Sequence, residues 1–135
     1  MTTTSVKTRF APSPTGLLHA GNLRTALFNA LMAWRHDGTF LLRIEDSDTE
    51  RTDPHALEAI QADLHWLGLH WDDGPGAASP PAQWQQSARA ADYSRAVAGL
   101  LETGAAYPCF CSAERLAALR DQQRAAGAPI RYDGC

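Results

Sequence analysis

Residues 9–29 read RFAPSPTGLLHAGNLRTALFN, and how this stretch divides decides the fold. Its first residues close a run, Val6 to Ala11, that reads as a short buried strand. Pro12 and Pro14 stop that run, because proline lacks an N–H donor and holds the residue before it extended. From Ala20 to His36 the apolar positions Leu23, Leu27, Leu31 and Trp34 recur on one helical face, and Gly38 lies just beyond as a stop. Thr39 to Ile44 is then a continuous β-prone run. Strand, loop, helix and strand in that order predict a βαβ unit with a parallel sheet and a right-handed crossover, so the fold class is α/β.

Working outward, Asp53 followed by Pro54 is a strong helix start, with Leu57, Ile60, Leu64 and Leu67 as the buried stripe and Gly68 as the end. Trp71 to Trp84 is rich in Gly, Pro, Ala and Asp and predicts a loop. Ser87 then caps a helix carrying Tyr93, Val97, Leu100 and Leu101 as far as Gly104. Ala106 to Phe110 predicts a strand, and Ser112 opens a polar helix with Arg115, Arg120 and Arg124 that Gly127 and Pro129 terminate. No internal repeat or low-complexity tract interrupts the chain.

At 135 residues, 44% hydrophobic and 20% charged, the chain can bury one modest core, which sets one domain at most. A formal charge of -3 supplies no global basic footprint, so any nucleic-acid contact must come from a local patch. Met1 to Lys7 is polar and Thr-rich, and no stretch approaches the roughly 18 apolar residues of a membrane span. A cytoplasmic protein without a membrane partner is expected. Three cysteines, two of them the close pair Cys109 and Cys111, suit a metal or free thiols better than a disulfide framework, since an odd count leaves one over.

Two segments carry chemistry. The loop Arg9 to Asn22 falls between a strand and a helix start, which in an α/β sheet is the crevice where ligands bind. Backbone amides and the positive end of the helix dipole favour phosphate there, His19 can donate to charge developing in nucleotidyl transfer, and Gly21 leaves room for a nucleotide. His-x-Gly alone equally suits a proline-stiffened turn with His19 as a cap. The second segment, Leu42-Arg43-Ile44-Glu45-Asp46-Ser47-Asp48, ends the second strand on the same sheet edge. Glu45 can pair with an ammonium group and Arg9 with a carboxylate, which together suit an amino acid. Alone, Arg43, Glu45, Asp46, Asp48 and Arg51 also suit a solvated cluster capping the next helix.

The run Arg9 to Asn29 resembles the first motif of glutamyl-tRNA synthetases, with His19-Ala20-Gly21-Asn22 in place of the His-Ile-Gly-His-type tetrapeptide of class I synthetases. Arg43 to Arg51, RIEDSDTER, is similar to that family's Arg-Ile-Glu-Asp-Thr-Asp segment, with Ser47 replacing threonine. The resemblance implies the first half of a class I Rossmann-like nucleotide-binding domain over residues 1–104, and over 105–135 the start of an inserted region that binds the tRNA acceptor stem. It further implies His19, Gly21 and Asn22 as catalytic residues and Pro12, His19, Gly21 and Asn22 as ATP contacts. Glutamate would be held by Arg9, Ala11, Ser13 and Glu45. The reaction implied is ATP- and Mg2+-dependent attachment of glutamate to tRNA through glutamyl adenylate, by an enzyme expected to be monomeric and to extend beyond these residues. A glutaminyl enzyme would differ at Ser13-Pro14-Thr15-Gly16 and Glu45-Asp46. A glutamyl-queuosine tRNA synthetase is the nearer alternative, although its first helix usually lacks Arg24 to Asn29 as they stand here. A non-enzymatic tRNA- or zinc-binding module is the alternative from another class.

Cys109 and Cys111, with Tyr132 and Cys135 after the arginine-bearing helix, are two thiols, a phenol and a third thiol. Zinc favours tetrahedral sulfur-rich sites, and some members of the resembling family carry zinc in this region. The register differs from the family's Tyr-Asp-Gly-x-Cys, because Cys135 follows Gly134 directly. Arg115, Arg120 and Arg124 form the best local basic patch, against a solvated face neutralised by Glu114 and Asp121. The tryptophans Trp34, Trp66, Trp71 and Trp84 are expected in core or loop packing.

Overall fold

The computed structural model describes residues 5–48 and 51–134. Its elements are β1 (Lys7–Phe10), α1 (Ala20–Arg35), β2 (Thr39–Leu42), α2 (Pro54–Trp66), α3 (Pro81–Trp84), a short 3-10 turn (Ser87–Arg89), α4 (Ala90–Glu102) and α5 (Ala113–Ala125). The chain separates into two compact units, one ending at Ser94 and one beginning at Arg95, so the division falls within α4.

In the first unit β1 and β2 pair in parallel, with Lys7 opposite Thr39 and Phe10 opposite Leu42, and α1 is the crossover between them. This is the βαβ order expected from the chain. Gly38 has a reason beyond stopping a helix. A Cβ there would lie 2.2 Å from the Val6 carbonyl oxygen, the same oxygen that accepts the Thr39 N–H at 2.8 Å and starts the ladder. The far edge of β2 is not bare. Leu42 N–H donates to Asp73 O and Ile44 N–H to Trp84 O, so the loop after α2 covers it with single parallel bridges.

Phe10, Phe40, Leu42, Ile44, Ile60, Leu64 and Leu69 form the core, with Trp71 and Trp84 packed on its margin. The face that α1 turns inward is not its leucine face. Ala26, Ala30 and Ala33 are fully buried, whereas Leu27, Leu31 and Trp34 remain 41–49% exposed. Alanines let the helix axis approach the two strands closely, and bulkier residues at those positions would hold it off. In α2, Ile60 and Leu64 are buried as expected, but Leu67 is not. Asp53 caps this helix by accepting the His55 N–H at 2.9 Å. The predicted loop Trp71 to Trp84 contains the one-turn helix α3.

In the second unit, Ser112 caps α5 by accepting the Arg115 N–H, and Gly127, at φ 64°, ends the turn beyond it. The strand expected over Ala106 to Phe110 does not form: these residues carry no ladder. Pro108 removes a donor from their middle, and among the described residues no strand lies alongside to supply partners.

Candidate functional site

From Arg9 to Pro14 burial alternates residue by residue. Phe10, Pro12 and Pro14 are buried, while Arg9, Ala11 and Ser13 lie on the open side. This is the period of an extended chain carried past the end of β1. It brings the three residues proposed from the resemblance onto one face. The second segment is laid alongside by the same ladder: Arg43 N–H donates to Phe10 O at 2.9 Å and Glu45 N–H to Pro12 O at 3.0 Å. Glu45 is thereby set beside Ala11 and Ser13 by main-chain bonds.

The loop then runs into the N-terminus of α1, where His19 is the cap. Its Nδ1 accepts the Gly21 N–H at 3.1 Å, and Asn22 Oδ1 reciprocates by accepting the His19 N–H at 3.2 Å. An imidazole that accepts at Nδ1 carries its proton, when neutral, at Nε2. The cap therefore fixes the ring and leaves Nε2–H as the donor available to a ligand. Of the backbone amides at this helix start, two are already taken, because Gly21 N–H serves His19 Nδ1 and Asn22 N–H serves His19 O. The choice between cap and catalytic histidine dissolves, since one ring can fill both roles.

A cavity of about 550 Å³ opens here, lined by Phe10, Ala11, Pro12, Ser13, His19 and Asn22, with the Thr15–Leu18 turn on its rim. Arg9, Gly21 and Glu45 do not line it. Gly21 lies behind the imidazole: a Cβ on it would come within 2.9 Å of His19 Cε1. The Glu45 carboxylate faces Arg43, with Oε1 3.2 Å from Nε, and both side chains stay partly accessible. Arg9 is exposed and pairs with no carboxylate among the described residues.

Asp46 was read only as one of a charge cluster. The structure buries it to 8% exposure, as the inward member that continues Leu42 and Ile44. Its Oδ2 accepts from Gln85 Nε2 and Ser87 Oγ, both at 2.7 Å, and its Oδ1 accepts the Ser87 N–H at 2.8 Å. Burial pushes its carboxyl upward, but the donors from Gln85 and Ser87 outweigh it and hold the pKa below the ordinary carboxylate value. The period-two run into the charged residues was the one sequence signal that could have singled it out.

In the second unit Cys109 Sγ lies 3.2 Å and Cys111 Sγ 3.8 Å from Tyr132 Oη. Cys135 lies outside the described residues. The Tyr132 hydroxyl lowers the Cys109 thiol pKa, and the same bond pushes the phenol well above its usual value. Cys111 is disulfide-bonded and Cys109 keeps a free thiol, where the sequence favoured a metal or free thiols over a disulfide framework. Of the basic patch, Arg115 pairs with Asp133 at 2.7 Å and Arg124 with Asp121 at 3.0 Å. Much of that charge is answered within the unit.

Residues 5–135 match the family model described as tRNA synthetases class I (E and Q), catalytic domain. Glutamate–tRNA ligase 2 of Alkalilimnicola ehrlichii is 54% identical over 134 residues, which are 99% of this chain and 28% of that protein. Among solved structures, the glutamate-tRNA synthetase of Elizabethkingia anophelis superimposes with a TM-score of 0.86 at 41% identity, over 97% of this chain and 26% of that one. A glutamate tRNA ligase of Elizabethkingia meningosepticum, solved in complex with its amino acid, superimposes with a TM-score of 0.83 at 41% identity over the same shares. The chain thus spans about a quarter of the length of its relatives. No helix among the described residues is long and apolar enough to cross a membrane. With a parallel βαβ unit, a histidine cap at the mouth of its crevice and a match over nearly every residue, the chain belongs to the class I tRNA synthetases (E and Q), within their catalytic domain.

Proposed function

We propose that this chain supplies the first half of the ATP- and glutamate-binding catalytic domain of a glutamate–tRNA ligase. The observation that carries the reading is the His19–Asn22 cap at a cavity whose wall presents Ala11 and Ser13, with Glu45 laddered to Pro12 beside it. A carboxylate oxygen of glutamate attacks the α-phosphorus of ATP and pyrophosphate leaves; a ribose hydroxyl at the tRNA 3′ end then takes the acyl group of the adenylate, and AMP leaves. No covalent bond to the protein is needed, so its contribution is positioning and charge stabilisation. His19 Nε2–H donates to oxygen on phosphorus as charge develops there, and Asn22 Nδ2 supplies a second donor. Arg9 pairs with a glutamate carboxylate, Ser13 donates a hydrogen bond, and Glu45 exchanges Arg43 for the substrate ammonium. Magnesium, arriving with ATP, neutralises its phosphates. Attachment of glutamate to the tRNA 3′ end rather than to queuosine is supported by the relatives' names, all glutamate–tRNA ligases.

Residues 105–135 begin the inserted acceptor-stem region in this reading. Cys109, Cys111 and Tyr132 suit a structural zinc when Cys111 is reduced. A tetrahedral site with Zn–S of ~2.3 Å and Zn–O of ~2.0 Å has S···O edges of about 3.5 Å, between the two separations observed here. Cys135 would be a further ligand, and the protein works as a monomer in the cytoplasm, where ATP and tRNA are.

Glutamate-dependent ATP–pyrophosphate exchange by the full-length protein tests the assignment. His19→Ala should lower the exchange rate by about 100-fold with little change in glutamate KM, since its bond strengthens in the transition state. Glu45→Gln should instead raise the glutamate KM. Wild-type protein that exchanges with no glutamate dependence would overturn the reading, and metal analysis of the same reduced preparation decides the zinc.

A further inference from the structure

Three segments distant in sequence meet at the carboxyl end of β2, and one buried carboxylate joins two of them. Glu45 N–H is bonded to Pro12 O on the first-loop side. On the other side Ile44 exchanges main-chain bonds with Trp84 and Gln86, its N–H donating to Trp84 O at 2.7 Å and its O accepting the Gln86 N–H at 3.0 Å. Main-chain pairing in that direction ends at Ile44, and the next contact is the Asp46 carboxylate, which receives Gln85 and Ser87 through three donors. Glu45 therefore sits between two anchored neighbours. Ile44 is 1% exposed and Asp46 8%, while the Glu45 side chain between them is partly accessible and paired with Arg43.

We propose that Asp46 is a positioning residue for amino-acid recognition: by clamping residues 85–87 against the end of β2, it holds Glu45 at the register from which its carboxylate meets the substrate ammonium. This rests on the reading of Glu45 as the ammonium partner. A solvated cluster residue would be dispensable. Asp46 is different because its carboxylate accepts all three bonds, so an amide in its place loses the charge that strengthens them and must present its NH2 either to the fixed Ser87 N–H or to Gln85 and Ser87 Oγ, which then have to turn to accept. An unmatched buried donor costs more than a missing bond. The strain would be relieved by moving the Glu45–Asp46 backbone, and displacements of ~1 Å in a site cost as much as 100-fold in rate or binding.

The experiment is steady-state pyrophosphate exchange with full-length protein carrying Asp46→Asn, Ser87→Ala, Gln85→Ala and the Asp46→Asn/Ser87→Ala double substitution. Asp46→Asn is expected to raise the glutamate KM about tenfold while the ATP KM stays within about twofold. Ser87→Ala and Gln85→Ala should each give a smaller rise of the same kind. The double variant should be no worse than Asp46→Asn alone, because both changes break one cluster. If Asp46→Asn does not fold, as judged by near-ultraviolet circular dichroism, the two milder variants decide. Folded variants with unchanged glutamate KM, or with glutamate and ATP KM raised equally, overturn the proposal, since a general loosening has no reason to single out the amino acid. Wild-type enzyme indifferent to glutamate would instead remove the reading beneath it, so the two failures are distinct.

Discussion

One nitrogen of His19 is committed to the helix cap and the residue lines the cavity, so anything that tilts the ring acts on both. Gly21 sits where a methyl group would meet that ring at 2.9–3.0 Å. Gly21→Ala should therefore slow adenylate formation by 10- to 100-fold, the scale of an ångström-sized misplacement. Helix propensity favours alanine by up to about 1 kcal/mol, so thermal unfolding should be unchanged or slightly raised. A normal exchange rate in this variant would show that the ring yields without cost. Asp46 makes a second prediction through pH. Its folded pKa is depressed, hydrogen bonding by Gln85 and Ser87 having overcome burial. A depressed carboxylate contributes its stability fully above the unfolded value, near pH 4, and loses it as pH falls through the lower folded value. Wild type should be more stable than Asp46→Asn in urea at pH 7, and the gap should narrow below pH 4. A gap that widens on acidification would contradict the assignment.

The helix α1 reads in sequence as a leucine stripe, but it packs by its alanines. Ala30 has no exposed surface and Leu31 is half exposed. Ala30→Leu should destabilise by ~1–3 kcal/mol through overpacking, and Leu31→Ala by less than about 1 kcal/mol in this chain, where much of that side chain is already wet. Denaturant midpoints measured on the 135-residue chain check the order; the reverse would mean that the leucine face is the buried one. The periodicity called a helix correctly, yet hydrophobicity ranks leucine above alanine whatever the helix packs on. Only the closeness of β1 and β2 favours the small residues. The predicted strand at Ala106 to Phe110 failed for a related reason: a strand is defined by its neighbour, and Pro108 withholds a donor from any neighbour.

At the scale of the whole chain, Leu27, Phe28, Leu31, Met32 and Trp34 are all more than 40% exposed on α1, and β1 pairs with β2 alone among the described residues. Apolar surface and an open edge of this kind favour association. The 135-residue chain by itself should bind a hydrophobic dye and self-associate with concentration. It should not aminoacylate tRNA, since cooperating parts of a site contribute far less than their share when separated. Glutamylation by the purified chain would refute that. The sequence by itself determined the order βαβ, the caps at Asp53 and Ser112, and the two charged segments at one sheet edge, because strand, cap and turn preferences act over a few neighbouring residues. Tertiary structure alone decided which face of α1 is buried and that Asp46 leaves its charged neighbours to bind Gln85 and Ser87. Those outcomes depend on contacts between residues up to 41 positions apart, and no local preference encodes which distant donor will arrive.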